Sequence, residues 1–253
     1  MRKLGPFSLL QTPSSLRTAC RLGLLFSFFT LGGIRAEAPG ETSTHLFILS
    51  GQSNMARMDP HLTFVPAVQA AFGADRVTVV HAAWGGQPIR RWYKQWTSSS
   101  GEKIAPTGDL YDKMMSQVKQ AVANRPVETV TFVWMQGERD ALRRHADVYE
   151  DSLRGLIQQL ADDLGRTDLH LVIGRLSDSA RYKDWRMVQA AQMRVADEHP
   201  KGAWINTDDL NSGIDGKGEE IHDNLHFSVE GYKVLGQRFA DAAIQLITNQ
   251  AAP

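Results

Sequence analysis

Short apolar runs alternate with longer amphipathic segments along most of this chain. The short runs are rich in β-branched and aromatic residues and are bounded by turn-forming residues, a pattern that predicts β-strands. Five strands are predicted, at residues 45–49, 76–82, 129–134, 169–175 and 203–207. Because helical segments separate these strands, we expect a parallel sheet covered by helices on both faces, and therefore an α/β fold.

The longer segments predict amphipathic helices at residues 110–123, 148–164, 185–198 and 229–247. In the second of them, apolar residues recur every three or four positions, which makes one stripe along a helix. The stripe consists of Tyr149, Leu153, Leu156, Leu160 and Leu164. In an open α/β sheet the ligand binds outside the carboxyl ends of the strands. The polar residues that follow each predicted strand are therefore the candidates for chemistry.

Residues 1–38 have a different pattern, that of a secretory leader. Four basic residues come first, namely Arg2, Lys3, Arg17 and Arg21. An apolar stretch follows at residues 22–34, and residues 36–38 have the small-x-small pattern of a cleavage site. This stretch is shorter than the ~20 residues of a spanning helix, which favours a cleaved signal peptide over the alternative, an uncleaved anchor. We expect a secreted or periplasmic protein without stable membrane association after cleavage.

Composition and charge bear on the chain beyond the leader. The chain has one cysteine, Cys20, and it lies in the leader, so we predict no disulfide in residues 39–253. Removing the leader takes five basic residues and one acidic residue from the balanced 28 and 28, which leaves 23 and 27 and a formal charge of −4. This charge does not indicate a nucleic acid partner. Residues 39–253 are long enough for one sizeable core, and we expect a single domain.

Ser53 follows the first predicted strand, within the sequence LSGQSNM at residues 49–55. A serine at this place, just ahead of a helical turn, presents its hydroxyl beyond the end of the sheet, where a nucleophile belongs. The general nucleophile elbow is G-x-S-x-G, and Met55 stands where its last glycine should be. The alternative is that Ser53 only caps the next helix.

Two glycines, Gly85 and Gly86, follow the second predicted strand. Paired glycines let the backbone turn tightly and expose an N–H, which an oxyanion donor requires, although most glycines at turns are only turns. Arg90 and Trp92 come soon after. They could stack on and hydrogen-bond a sugar, and the alternative is a buried aromatic residue beside a solvated cation.

The third predicted strand leads into Gln136-Gly137-Glu138-Arg139-Asp140. The Gln136 amide can donate to a developing oxyanion. Glu138 and Asp140 could orient groups in the site or accept from substrate hydroxyls. Alternatively, neighbouring arginines neutralise both carboxylates at a helix start.

The fifth predicted strand is followed by an irregular stretch and then by Asp223 and His226, three positions apart. Asp223 can accept from one ring nitrogen of His226 and leave the other to deprotonate a hydroxyl. A metal site made of His222, Asp223 and His226 is the alternative. The remaining histidines are scattered and no cysteine pair exists, so we predict no metal and no cofactor.

Four blocks together resemble the SGNH hydrolase superfamily. They are GQSNM at residues 51–55, the pair Gly85 and Gly86, QGE at residues 136–138, and DNLHFSVEGY at residues 223–232. They are similar in particular to the sialate O-acetylesterase-like branch, which includes the acetyl xylan esterases of carbohydrate esterase family six. Together the blocks extend over nearly the whole of residues 39–253.

The resemblance implies a three-layer α/β/α sandwich with a five-stranded, flavodoxin-like parallel sheet. It also implies a metal-independent serine esterase that removes acetyl groups from an acetylated carbohydrate. Ser53 would be the nucleophile, His226 the general base and acid, and Asp223 its orienting carboxylate. The oxyanion hole would combine the N–H groups of Ser53 and Gly86 with the Gln136 side chain. Further candidates for substrate contacts are Gln52, Glu138, Arg139, Arg90 and Trp92.

Arg139 departs from the branch, which commonly has serine at this position. A long cation beside the site bears on the identity of the substrate more than on the chemistry. A carbohydrate-binding protein on the same scaffold, catalytically silent, is the competing interpretation.

Overall fold

The structure is a computed structural model that describes residues 42–99, 101, 104–123, 125–220 and 225–249. The predicted signal peptide at residues 1–38 lies outside the described residues, and its prediction stays open. Within them, no helix has the length and the apolar character needed to cross a membrane.

The described residues form one sheet of five parallel strands. The strands are β1 (Thr44–Gly51), β2 (Val77–Ala83), β3 (Val127–Met135), β4 (His170–Gly174) and β5 (Gly202–Ile205). Each predicted strand is present within a few residues of its predicted bounds, which confirms the α/β fold. The order across the sheet is β2-β1-β3-β4-β5, the order of flavodoxin-like sheets.

Seven helices pack on the sheet in the described part of the chain. They are α1 (Ser53–Arg57), α2 (Phe64–Phe72), α3 (Asp109–Val122), α4 (Glu138–Leu142), α5 (Tyr149–Leu164), α6 (Lys183–Glu198) and α7 (Val229–Thr248). The four predicted long helices correspond to α3, α5, α6 and α7. The sequence analysis did not predict α2, whose first turn contains Pro66, or α4, which is too short to show a period.

The sheet separates two apolar cores, because alternate side chains of a strand point to opposite faces. Leu46 and Ile48 of β1 face the core beneath α3, α5 and α6, whereas Phe47 and Leu49 face the core beneath α2 and α7. The predicted stripe of α5 is buried except at Leu164, which is partly exposed at the end of the helix. The result is the expected three-layer arrangement.

The strand order determines where a site can form. The loop after β1 leads to β2 on one side and the loop after β3 leads to β4 on the other, so the connections diverge between β1 and β3. Divergence of this kind leaves a crevice at the carboxyl ends of the strands. Gly51 and Met135, the last residues of β1 and β3, are register partners at this edge.

Candidate active site

The exit from β1 depends on a close approach between two backbones. Gly51 has a φ of 149°, and a Cβ atom added to it would lie 1.9 Å from the carbonyl oxygen of Met135. The next residue, Gln52, donates its N–H to the same oxygen at 2.9 Å. Only glycine fits this approach. The chain is thereby held against β3 as it turns, and Ser53 becomes the first residue of α1.

Ser53 and His226 meet at this edge of the sheet. The Nε2 atom of His226 lies 3.3 Å from the Oγ atom of Ser53, a distance at which they hydrogen-bond. His226 comes shortly before α7, and Ser228 caps this helix by accepting from the N–H of Gly231 at 2.9 Å. Asp223 lies outside the described residues, so its predicted role as the orienting carboxylate stays a prediction.

Asn54 links three segments around this pair. Its Nδ2 atom donates to the carbonyl oxygen of Leu225 at 3.1 Å and to Oε1 of Glu138 at 3.2 Å. Its Oδ1 atom accepts from the hydroxyl of Tyr232 at 3.0 Å. The segment that carries His226 is therefore tied to α1 through side chains. The sequence analysis gave Asn54 and Tyr232 no role, although both stand within the blocks that carried the resemblance.

The turn after β2 lies beside Ser53. The N–H of Trp84 donates to the carbonyl oxygen of Gly51 at 3.0 Å, and a Cβ atom added to Gly85 would lie 3.9 Å from Cβ of Ser53. Gly86 has a φ of 68°, a left-handed conformation that favours glycine. Its carbonyl oxygen accepts from Nε of Arg139 at 2.7 Å. The predicted donor turn is thus anchored to α4.

The Gln136 amide has a different position from the one predicted. Its side chain is fully buried and does not line the cavity that contains Ser53. Its Nε2 atom donates to the carbonyl oxygen of Gln87 at 3.0 Å and to Oδ2 of Asp140 at 2.5 Å, with Oε1 of Gln52 at 3.3 Å. Both of its N–H groups therefore have acceptors within the protein. This geometry does not agree with the role of an oxyanion donor. Gln136 instead links three segments of the chain through hydrogen bonds.

Glu138 and Asp140 are buried at the same edge. Burial raises the pKa of Glu138 from 4.5 to about 7 and that of Asp140 from 3.8 to about 6. Glu138 lines the cavity, whereas Asp140 accepts from the N–H of Ile89 at 2.9 Å and from Gln136. Both stand in the first turn of α4, as the alternative interpretation has it. Among the described residues neither carboxyl forms an ion pair with an arginine, although the charge of Arg90 lowers the pKa of Asp140.

Two of the predicted substrate contacts lie away from the cavity. Trp92 is fully buried, donates from its indole Nε1 to Oγ of Ser50 at 3.0 Å, and packs edge-to-face on Trp134 with ring centroids 5.2 Å apart. The prediction that Trp92 could contact substrate is wrong, because its whole ring is enclosed in the apolar core. Arg90 lines a neighbouring groove instead and donates from Nη1 to the carbonyl oxygen of Ala105 at 2.9 Å.

The remaining candidates line one cavity of about 520 Å³ above the carboxyl ends of the strands. A volume of this size is typical of small-molecule sites. Its polar lining consists of Gln52, Ser53, Gly85, Gly86, Glu138, Arg139 and His226, with Ser179. Its apolar lining includes Leu142 and Tyr182, which are 63% and 43% exposed, and Trp185 beneath Tyr182. The sequence analysis missed this apolar rim, because Leu142 ends one helix, Tyr182 and Trp185 begin another, and no local pattern connects the two.

No group of three His, Cys, Asp or Glu side chains suited to a metal ion occurs in the part of the chain that the structure describes. Two members of the alternative metal site, His222 and Asp223, lie outside that part.

Comparison with known families gives this geometry a context. Residues 55–245 match the family described as carbohydrate esterase, sialic acid-specific acetylesterase. The chain belongs to this family of carbohydrate esterases. It is therefore a carboxylic ester hydrolase. The match includes His226 and the α4 segment and covers most of the sheet, in agreement with the resemblance to sialate O-acetylesterases.

Solved structures show how this esterase fold is shared. A protein from Arabidopsis thaliana superposes with a TM-score of 0.60 at 20% identity, covering 82% of this chain and 99% of its own. A carbohydrate acetylesterase from Xanthomonas citri gives 0.58 at 18% identity, covering 81% of this chain and 56% of its own. The protein NanS gives 0.58 at 12% identity, covering 83% and 99%. No curated protein matches this sequence. At these identities the likeness shows the fold.

Proposed function

We propose that this esterase removes acetyl groups from carbohydrate hydroxyls by a serine mechanism with an acyl-enzyme intermediate. The observation that supports it most is the approach of Ser53 Oγ to His226 Nε2, 3.3 Å apart, within the cavity of about 520 Å³. A hydroxyl paired with an imidazole in this way is the arrangement of an activated nucleophile.

In the first half of the reaction, Nε2 of His226 takes the proton of the Ser53 hydroxyl as Oγ bonds to the ester carbonyl carbon. The carbonyl electrons move to oxygen and form a tetrahedral oxyanion. When they return, the bond to the sugar oxygen breaks, and His226 gives its proton to that oxygen. Asp223 is proposed to accept from the other ring nitrogen and stabilise the imidazolium.

The oxyanion requires donors on the side of the cavity opposite His226. As the first residue of α1, Ser53 has an N–H without an intrahelical acceptor. The N–H of Gly86 is the second proposed donor, since its turn lies beside Ser53 and is held by Arg139. Gln136 supports this set indirectly by holding the carbonyl oxygen of Gln87. Loss of one oxyanion donor typically costs about 10² to 10³ in turnover.

In the second half a water molecule takes the place of the sugar. His226 removes one of its protons as its oxygen attacks the acetyl carbon, and the bond to Ser53 Oγ breaks as His226 returns the proton to the serine. The products are acetate and the free enzyme.

The apolar rim supports a sugar as the alcohol part of the ester. Tyr182 is exposed at the mouth of the cavity and packs on Trp185 with ring centroids 6.0 Å apart. An exposed aromatic face held from beneath can stack on the C–H face of a sugar ring. Acetylated xylan and O-acetylated sialic acid are the two candidate substrates, in line with the family description and with the resemblance.

The test is hydrolysis of an aryl acetate by the full chain, with chelator present throughout. We expect Ser53→Ala to reduce turnover by at least about 10³-fold, as is typical for removal of a serine nucleophile. Ser116→Ala, an exposed serine on α3, serves as the matched control and should retain activity. Acetylated xylan oligosaccharides and O-acetylated sialic acid follow as substrates.

A Ser53→Ala variant with undiminished turnover would contradict the serine mechanism. A folded wild-type protein that is silent on aryl acetates and on acetylated sugars would favour the competing interpretation, a carbohydrate-binding protein.

A further inference from the structure

A second groove, of about 330 Å³, borders the cavity that contains Ser53. We call it the basic groove, and its lining consists of Gly86, Gln87, Pro88, Arg90, Ile104, Arg139, Arg143 and His145. The groove and the cavity share Gly86 and Arg139, so the two spaces are adjoining. Ser53 and His226 line only the cavity. The groove is therefore next to the reacting pair and separate from it.

The three arginines of the groove differ from most others in the described part of the chain. Elsewhere in the described part, seven arginines form ion pairs with carboxylates, as Arg91 does with Asp109 and Arg238 with Asp209, and five others do not. Within the described residues, Arg90, Arg139 and Arg143 form no such pair. Arg139 and Arg143 are therefore not paired with a carboxylate among the described residues, whereas Arg90 interacts through its charge with the buried Asp140.

Backbone contacts hold two of these cations in place. Arg90 donates from Nη1 to the carbonyl oxygen of Ala105 at 2.9 Å, and Arg139 donates from Nε to that of Gly86 at 2.7 Å. Asp140 lies behind the wall of the groove and is fully buried, with its Oδ2 atom bound to Ile89 and Gln136. It interacts with Arg90 through its charge but forms no ion pair with it. The fixed guanidinium groups leave N–H donors for a ligand.

We infer that the basic groove binds the carboxylate of a sugar residue next to the acetylated one, so that the preferred substrate is an acidic glycan. This inference rests on the proposed function, since it places the acetylated residue in the cavity with Ser53. That cavity is large enough for a small ligand by itself, and a chain that continues past Gly86 enters the groove. Guanidinium groups suit carboxylates because they can donate two parallel hydrogen bonds.

Arg139 and Arg143 have different parts in this arrangement. Arg139 lines both spaces and contacts whatever passes between them. Arg143 lines only the groove and is exposed, so it acts on the neighbouring sugar alone. Arg144, the next residue, is also exposed but does not line the groove. Substitution of Arg144 therefore makes the same change of charge without touching the proposed site.

The first test measures binding, which does not depend on catalysis. Calorimetry on the full chain compares an unacetylated galacturonic acid trisaccharide with xylotriose. We expect the acidic trisaccharide to bind about tenfold more tightly, the effect of one charge-assisted hydrogen bond. Arg143→Gln should remove most of this difference, Arg143→Lys should restore part of it, and Arg144→Gln should leave it intact.

The second test measures the ratio of kcat/KM for acetylated galacturonic acid oligosaccharides to that for acetylated xylo-oligosaccharides. The ratio should exceed one for the wild type, fall in Arg143→Gln, and decrease with added salt because screening weakens ion pairs. Equal binding of the two trisaccharides, or equal effects of Arg143→Gln and Arg144→Gln, would overturn the inference. If the protein hydrolyses aryl acetates but has no preference for acidic glycans, only the inference about the groove is refuted. If it binds acidic glycans preferentially but hydrolyses no ester, only the proposed function is refuted.

Discussion

The two ends of the central sheet are built from different interactions. At the amino end, charged side chains pair near the surface, as Arg76 does with Glu128 and Arg166 with Asp168. At the carboxyl end, Gln136 and Asp140 are fully buried and bonded to amides and backbone groups. These ion pairs of the amino end are thus partly exposed, whereas these two polar side chains of the carboxyl end are enclosed.

Because of this difference, the two ends of the sheet contribute differently to the stability of the fold and to the positioning of the site. Ion pairs between exposed charges are each worth about 0 to 1 kcal/mol, because water screens them and long side chains lose entropy. Burying polar groups carries a desolvation cost that hydrogen bonds must offset. At the carboxyl end those hydrogen bonds tie α1, α4 and the turn after β2 to one another. The protein therefore maintains its enclosed polar residues where the site needs a fixed backbone.

The largest effect is expected from a change that breaks the close approach at the carboxyl end. Gly51→Ala would place a Cβ atom 1.9 Å from the Met135 carbonyl oxygen, so β1 and β3 must separate. We expect a loss of more than about 4 kcal/mol in the free energy of unfolding, in the range of severe core disruption. Chemical denaturation measures it.

Gly165→Ala is the matched control for that substitution. Gly165 also has a left-handed backbone, with a φ of 62°, but no atom lies within 4 Å of an added Cβ. It should cost about 1 kcal/mol, the ordinary penalty of that conformation. Equal losses in the two variants would show that the approach to Met135 has no energetic weight.

An intermediate effect is expected from pH. The folded-state pKa of Glu138 is raised from 4.5 to about 7 by burial, so its favourable contribution is complete below pH 4.5 and is lost as the pH rises through about 7. We expect this group to lower the unfolding free energy by on the order of 2 kcal/mol over that interval. Glu138→Gln should flatten the decline, and the slope that remains should reflect Asp140, whose pKa is raised to about 6.

The contribution of Glu128, at the amino end, to the free energy of unfolding has the opposite dependence on pH. A hydrogen bond from Ser43 lowers its pKa from 4.5, so its contribution is present above pH 4.5 and is lost as the pH falls below that value. Glu128→Gln should therefore lower stability above pH 4.5 and converge with the wild type as the pH falls below that value. A Glu138→Gln variant with the same decline as the wild type between pH 4.5 and 7 would contradict the assignment of that decline to the carboxyl end.

The smallest effect is expected from breaking a pair at the amino end. Arg76 and Glu128 are 39% and 43% exposed, so their pairing is screened. Arg76→Gln should change the unfolding free energy by less than about 1 kcal/mol and leave aryl acetate turnover unaltered. Thermal unfolding at low and high salt checks this, and a loss comparable to that of Gly51→Ala would erase the contrast between the two ends.

Local pattern was sufficient for most of the fold. The five strands and four long helices were predicted from the spacing of apolar residues. A buried strand face or helix stripe produces a regular spacing that is visible within a single segment. The short helices α2 and α4 were not, because neither has a distinct period. Ser53 and His226 were singled out because each follows a strand, and parallel strands bring their carboxyl ends to one edge.

Patterns along the chain were enough to identify the elements, their class and the edge of the sheet at which the candidate residues lie. The directions in which side chains point at that edge became known only from the packing of the folded chain. Trp92 packs in the core and Gln136 links buried segments by hydrogen bonds, although their positions in the chain suggested contacts with ligands. The basic groove joins Arg90 to Arg143, which are far apart in the chain. Such outcomes depend on packing between distant segments, which the order of residues within any one segment does not record.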